Sequence, residues 1–421
     1  MALNRRTFLG TAAAASAALS APRVLGQAKP RVVVVGGGAG GATAARYIAK
    51  DSQGAIDVTL IEPTRTYYTC FFSNLYIGGF RDFASIGHSY GTLAADYGVN
   101  VVHDWVTGID RDAMTVTTAN GASLPYDRLI VSPGIDFVEG SVPGWSVAAQ
   151  NKMPHSWKAG SQTQLLKAQI EAMPEGGTFC MVAPPNPYRC PPGPYERISM
   201  VAHQLKANNP NAKILLVDPK PKFSKQALFE EGWQKHYSGM IERIGPDFGG
   251  ANTSVDPDTM EVDIDGTVET VDVCNVIPAQ KAGHIAEAAG LTDDSGFCPI
   301  DPATMQSRAD ANVHVLGDAT IAGDMPKSAF SANSQAKVAA MQVRAALTGS
   351  NAFPAKYSNT CWSLIDTDDG VKVGASYQAT EEKIAKVDGF VSATGEDAAL
   401  RKATYEESLG WYAGITSDMF G

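Results

Sequence analysis

The chain is 421 residues long, enough for two or three domains with sizeable cores, and 44% of it is hydrophobic against 19% charged, as in an ordinary soluble globular protein. Its 34 basic and 44 acidic residues leave a net charge of −10, which argues against nucleic acid or an anionic membrane as partner. Six cysteines without a C-x-x-C pair, and seven scattered histidines, give no reason to expect a metal.

The chain opens with Asn4-Arg5-Arg6-Thr7-Phe8-Leu9-Gly10, a mild apolar run from Thr11 to Leu19, and a small-residue stretch ending Gly26-Gln27-Ala28. This is the layout of a twin-arginine secretory signal over residues 1–28, and it predicts export to the periplasm. The apolar run is well short of the ~20 residues a membrane span needs, and no later stretch is long enough either. Loss of this segment removes Arg5, Arg6 and Arg23 and no acid, so the charge of −10 becomes −13.

Next come a buried strand, Arg31-Val-Val-Val-Val35, the turn Gly36-Gly-Gly38-Ala-Gly-Gly41, a helix over Ala42 to Lys50, and a strand Asp57 to Ile61 ending on Glu62. This is a βαβ unit with G-x-G-x-x-G at its first turn and an acid about 20 residues on, the dinucleotide fingerprint. Gly36 allows the tight turn, Gly38 lets backbone approach a pyrophosphate, and Gly41 lets helix and strand pack closely; Glu62 would bond ribose hydroxyls. Two later segments favour FAD over NAD. Tyr126 to Gly134 resembles the strand and turn that leave the FAD domain of two-dinucleotide flavoproteins. Asn312-Val-His-Val-Leu-Gly317-Asp318, followed by a helix-forming stretch from Ser334 to Leu347, resembles their second flavin signature, in which the aspartate holds the ribityl chain.

Between these halves a strand over Thr178 to Val182 leads into a loop and a helix, where a pyridine-nucleotide enzyme would carry glycines. Here the loop reads Ala183-Pro-Pro-Asn-Pro-Tyr-Arg-Cys190-Pro-Pro-Gly-Pro-Tyr-Glu196-Arg197. Five prolines ahead of Gly193 remove amide donors and space, so a thiol site stands in place of a second nucleotide site. Cys190, at the start of the helix, is placed where a thiolate is favoured. Cys361 begins the C-terminal piece, and in such an architecture both approach a flavin ring. The pair reads either as a disulfide able to accept a sulfur nucleophile, or as a stabilising bridge, or as two unrelated thiols. Cys180 and Cys274, inside apolar strands, and Cys298 read as buried core. Cys70, in Tyr67-Tyr-Thr-Cys70-Phe-Phe-Ser-Asn74, is either a buried thiol or a thioether to the flavin.

The fold class is therefore α/β, with two Rossmann-like domains, the second without a nucleotide loop, and a smaller C-terminal α+β domain. The FAD domain is divided in sequence, over residues 29–142 and 284–354; the second domain spans 143–283, and the third, 355–421, shows short strand-like runs and exposed-looking aromatics.

The motifs Tyr67-Tyr-Thr-Cys70, Cys190-Pro-Pro-Gly-Pro-Tyr-Glu196-Arg197, Met325-Pro-Lys-Ser328, Ser331-Ala-Asn-Ser-Gln335 and Asn359-Thr-Cys361 run through the mature chain. In these the sequence resembles the flavoprotein subunit of flavocytochrome c sulfide dehydrogenase. The resemblance implies covalent FAD on Cys70, a redox-active Cys190–Cys361 disulfide and Glu196 as a nearby acid or base, although a first-turn carboxylate favoured by the helix dipole is the plainer account of Glu196. It further implies oxidation of hydrosulfide to sulfane sulfur and electron transfer to a cytochrome c subunit, with Trp411 a candidate contact on that path or simply a core aromatic. The alternatives are a sulfide:quinone oxidoreductase, a NAD(P)H-dependent reductase, which the proline-filled loop disfavours, and a non-catalytic flavin electron-transfer module.

Overall fold

The computed structural model describes residues 28–421, so the expected signal segment lies outside the described residues but for Ala28. Strand β1 (Arg31–Val35) runs through the glycine turn into helix α1 (Gly41–Ser52) and back through β2 (Asp57–Ile61), parallel to β1 with Val33 opposite Thr59. Four successive valines of β1 are buried, the pattern of a strand covered on both faces. A short helix, α2 (Ser73–Ile77), follows the Cys70 segment; β3 (Asn100–Val102) then pairs with β2, and β4 (Arg128–Val131) with the other side of β1.

The middle of the chain starts with helix α3 (Ser161–Glu171). After it come β5 (Thr178–Val182), α4 (Gly193–Asn208), β6 (Lys213–Val217), α5 (Gln226–His236), β7 (Ile241–Ile244) and β8 (Val273–Val276). The strands form an all-parallel sheet in the order β7-β6-β5-β8. Cys180 and Cys274 face each other across β5 and β8, both fully buried, as small core residues do. Cys298 is fully buried as well.

Beyond this sheet the chain rejoins the first one through β9 (Gln306–Ser307) and β10 (Asp310–Val315), completing the order β9-β10-β4-β1-β2-β3. Helix α6 (Ala329–Thr348) then packs beside α1. It starts five residues before the expected Ser334, because Ser328 caps it: the Ser328 hydroxyl accepts from the Ser331 amide at 3.0 Å.

The C-terminal piece differs most from expectation. Its strands are long, β11 (Lys356–Asp366), β12 (Asp369–Ala379) and β13 (Ile384–Val391), and form an antiparallel meander. The tail is one helix, α7 (Ala398–Phe420), laid back over β12 and α1. The aromatics of this helix are not exposed, since Tyr412 and Phe420 are buried and Trp411 is partly so, whereas Phe390 of β13 is exposed as expected. Phe420 packs against Tyr67 and His88, and Gly370 of β12 has no room for a side chain, since a Cβ there would stand 2.7 Å from the Tyr405 backbone. Among the described residues no helix is long and apolar enough to cross a membrane.

Candidate active site

The glycine turn forms one wall of a groove of about 480 Å³. Gly36 takes φ 94° and its missing Cβ would stand 2.3 Å from the Ser132 carbonyl, so no other residue fits. Gly38 faces the groove beside the Tyr67 hydroxyl. Gly41 lies beneath it and is a packing glycine, its would-be Cβ only 1.8 Å from the Gly36 carbonyl. Glu62, at the end of β2, accepts from the Gly37 amide at 2.9 Å through one oxygen, and from the amide and hydroxyl of Thr64 through the other. On the opposite wall Gly317 and Asp318 follow β10; the Gly317 amide donates to Gln335 at 2.8 Å. The Asp318 Oδ1 atom is buried without a partner, and burial pushes its carboxyl above the usual range. A bare backbone turn at a helix N-terminus, an acid beyond it and an unpartnered carboxylate oxygen across from both fit the phosphates and hydroxyls of FAD.

A second, smaller cavity of about 80 Å³ opens beside the groove, and Cys70, Phe71 and Arg189 line both. Its walls carry three thiols, Cys70, Cys190 and Cys361, all unlinked in this structure, together with Glu196. Cys70 ends the segment after Tyr67, where its carbonyl accepts from the Ser73 hydroxyl at 2.6 Å. Cys361 belongs to β11, and its sulfur accepts from Asn359 Nδ2 at 3.4 Å. Phe330, Trp362 and Trp411 close one side, with Trp362 and Trp411 ring centres 5.1 Å apart. The room is that of a small anion and a few waters.

Cys190 departs from the sequence expectation. It precedes α4 by three residues, in a left-handed turn with φ 59°, and its amide donates to the Lys327 carbonyl at 2.8 Å. Helix dipole does not win there: burial pushes the Cys190 thiol well up, with Cys361, Glu196 and Cys70 adding to it and Arg189 opposing. Gly193 makes room for the sulfur, since a Cβ there would meet Cys190 Sγ at 2.9 Å and the Trp157 ring at 2.8 Å. Burial raises the Cys361 thiol as well, against the pull of Asn359 and Lys225.

Glu196 lies in the first turn of α4 but caps nothing in its own helix. Its carboxylate accepts from the Leu364 amide of β11 at 3.0 Å and from Asn74 Nδ2 of α2 at 2.8 Å. Burial raises its pKa against these two bonds. Arg197, fully buried, donates to Asn74 Oδ1, Asn275 Oδ1 and the carbonyls of His155 and Ser156, and lies over the Trp157 ring. Three residues at the site were not singled out in the sequence. Asn74 links Glu196 to Arg197; Arg189 stands 3.9 Å from Asp318 Oδ2 between groove and cavity; Lys225 reaches β11 from the turn before α5. Their partners are distant in sequence, so only Arg189, next to Cys190, had a local signal.

Three protein families match stretches of this chain. Residues 163–278 match the family described as the central domain of the sulfide dehydrogenase [flavocytochrome c] flavoprotein chain, residues 354–420 the flavocytochrome c sulphide dehydrogenase flavin-binding family, and residues 30–168 the pyridine nucleotide-disulphide oxidoreductases. Over 44 residues the chain is 57% identical to the sulfide dehydrogenase [flavocytochrome c] flavoprotein chain of Chlorobaculum thiosulfatiphilum, covering 90% of that sequence and 10% of this one. It is 23% identical to the mitochondrial sulfide:quinone oxidoreductase of Mus musculus over 306 residues, 69% of this chain but only 65% of that protein. In fold it is similar to the sulfide:quinone oxidoreductase of Aquifex aeolicus, with a TM-score of 0.69, 18% identity and 92% of each chain covered.

Proposed function

Because the chain belongs to the flavoprotein family of flavocytochrome c sulfide dehydrogenase, we propose that it is a periplasmic sulfide dehydrogenase flavoprotein, which oxidises hydrosulfide to sulfane sulfur and passes the electrons to a cytochrome c subunit. The observation that carries this reading is the single small cavity lined by Cys190, Cys361 and Glu196, joined through Cys70 to the glycine-turn groove. Oxidation joins Cys190 and Cys361 in a disulfide, a neutral group suited to walls that disfavour thiolates. Hydrosulfide attacks one sulfur, leaving a persulfide there and a thiolate on the other. Glu196, its carboxyl raised by burial, holds or relays the substrate proton. Bound FAD would take up the electron pair and release it in single steps. Cys70, on the wall common to groove and cavity, is the residue to hold FAD by a thioether. The twin-arginine motif at Arg5 and Arg6 supports export.

Replacing Cys361 with serine should leave the yellow flavin spectrum intact and abolish its bleaching by sulfide under anaerobic conditions. Unimpaired turnover in that variant would overturn the assignment. The likeness to sulfide:quinone oxidoreductases favours one rival, quinone as acceptor. Reduction of cytochrome c but not of a soluble quinone by the sulfide-reduced protein supports the present reading; the reverse result promotes the rival.

A further inference from the structure

Lys225 is a buried cation that the reaction above does not use. It sits in a left-handed turn, φ 62°, where its carbonyl accepts from the Leu228 and Phe229 amides and so holds the start of α5. Its side chain crosses from the middle sheet's helix to the C-terminal meander, donating to the Cys361 carbonyl at 3.1 Å, the Ser363 hydroxyl at 2.8 Å and, more weakly, the Val371 carbonyl at 3.5 Å. All three acceptors are neutral. Burying an ammonium is costly, and burial duly draws it down to about 8, with Cys361 first and the Glu196 carboxylate second among the groups that hold it up. Glu196 is a standing partner, but the titratable residue that Lys225 bonds directly is Cys361, whose thiolate exists only during turnover.

The two sulfurs differ in their surroundings. Cys361 has Asn359 Nδ2 at 3.4 Å and Lys225 on its own residue's carbonyl, with Glu196, Cys190 and Tyr377 as the opposing titratable neighbours. Cys190 faces Cys361, Glu196 and Cys70, with Arg189 as the cation that favours its anion most directly; Arg197 also favours it, and Lys225 does so less than it favours Cys361. In disulfide exchange the better-stabilised thiolate is the one that leaves. Building on the sulfide dehydrogenase reading, we infer that Lys225 is a positioning residue that sets the direction of opening: hydrosulfide bonds to Cys190, and Cys361 departs as the thiolate. The S–S bond between Cys190 and Cys361 breaks as the new bond to Cys190 forms. The electron pair of the broken bond stays on Cys361, the hydrosulfide proton stays on the persulfide in this step and reaches Glu196 only afterwards, and the charge of −1 is conserved.

Two measurements on the flavin-loaded protein test this. In the first, the protein is reduced with dithiothreitol and alkylated with iodoacetamide across a pH series, and each cysteine is followed by peptide mass. Lys225→Met should move the Cys361 midpoint up by about one pH unit or more, a roughly tenfold slower reaction at fixed pH below it, while Lys225→Arg restores the midpoint. An unmoved Cys361 midpoint in Lys225→Met overturns the proposal. The second uses wild-type protein, so it does not depend on a variant folding: anaerobic sulfide followed by rapid alkylation should leave the extra sulfur on the Cys190 peptide, and finding it on Cys361 overturns the proposal. Failure of the underlying reading looks different, since a non-reducing digest of the oxidised protein would then contain no linked Cys190–Cys361 peptide.

Discussion

Asn74 donates its side-chain amide to Glu196 at 2.8 Å, tying a carboxylate of the middle domain to a short helix that lies 122 residues earlier in the chain. The same side chain accepts from Arg197 Nε at 3.0 Å, so it serves an acid and a cation that do not touch one another directly. Asn74→Ala leaves both short of a partner in a buried place. The expected loss is about 2–4 kcal/mol, read as a lower urea midpoint with an unchanged slope. An unchanged midpoint would mean that water replaces the amide at no cost.

Gly193→Ala tests the packing of the thiol loop. Its new methyl would press on the Trp157 ring and on Cys190 Sγ, both under 3 Å away. Overpacking of this kind costs about 1–3 kcal/mol, but the sharper effect is expected on chemistry. The Cys190 sulfur must move, and linked Cys190–Cys361 peptide in a non-reducing digest should fall together with the rate of sulfide-dependent bleaching. Full linkage in the variant would show that the loop yields without moving the sulfur.

The proposed Cys70 thioether predicts a simple separation. After acid denaturation and precipitation the yellow colour should remain with wild-type chain and pass into the supernatant from Cys70→Ser. Colour in the supernatant from wild-type protein would refute the thioether while leaving the dithiol centre untouched.

Acid stability follows from two buried histidines. Burial draws His155 down to about 3 and His314 to about 4. Each is neutral when folded and takes up a proton on unfolding below about 6.5, so its contribution to stability is present above that pH and is lost as the pH falls toward the folded value. Glu196 and Asp318, raised by burial, work in the opposite direction. The difference between wild type and His314→Gln isolates one histidine. Between pH 6 and 4.5 the variant's unfolding free energy should fall less steeply, by up to about 1.4 kcal/mol per pH unit. Parallel slopes would show that His314 is charged in the folded protein.

Local patterns were legible in the sequence itself, whereas the meeting of Cys70, Cys190 and Cys361 in one cavity was expected only through the flavoprotein architecture, and other long-range relations were not legible. The βαβ unit with Gly36, Gly38, Gly41 and Glu62 is built from neighbours in sequence, so periodicity and glycine spacing sufficed. Helix α7 escaped because three of its seven buried residues, Arg401, Thr404 and Ser408, are polar beside Tyr412, Ile415, Met419 and Phe420. Arg401 is ion-paired there with Asp369, Glu231 and Glu396, and such compensation cannot be seen in a hydropathy pattern. The expectation of a helix-favoured thiolate at Cys190 failed for a different reason, since a left-handed turn sets the sulfur off the helix and burial outweighs the dipole. Asn74 and Lys225 carry no sequence signal at all, because the atoms that give them meaning lie more than 100 positions away.

Cys190 hangs by its main chain from Lys327, and Cys361 is fixed within the hydrogen-bonded ladder of β11 and β12. Neither sulfur depends on the other for its place. Joining and parting them in the proposed cycle would therefore leave the scaffold idle, like contacts closing inside a rigid relay, and chemical reduction should open the pair without melting the protein around it.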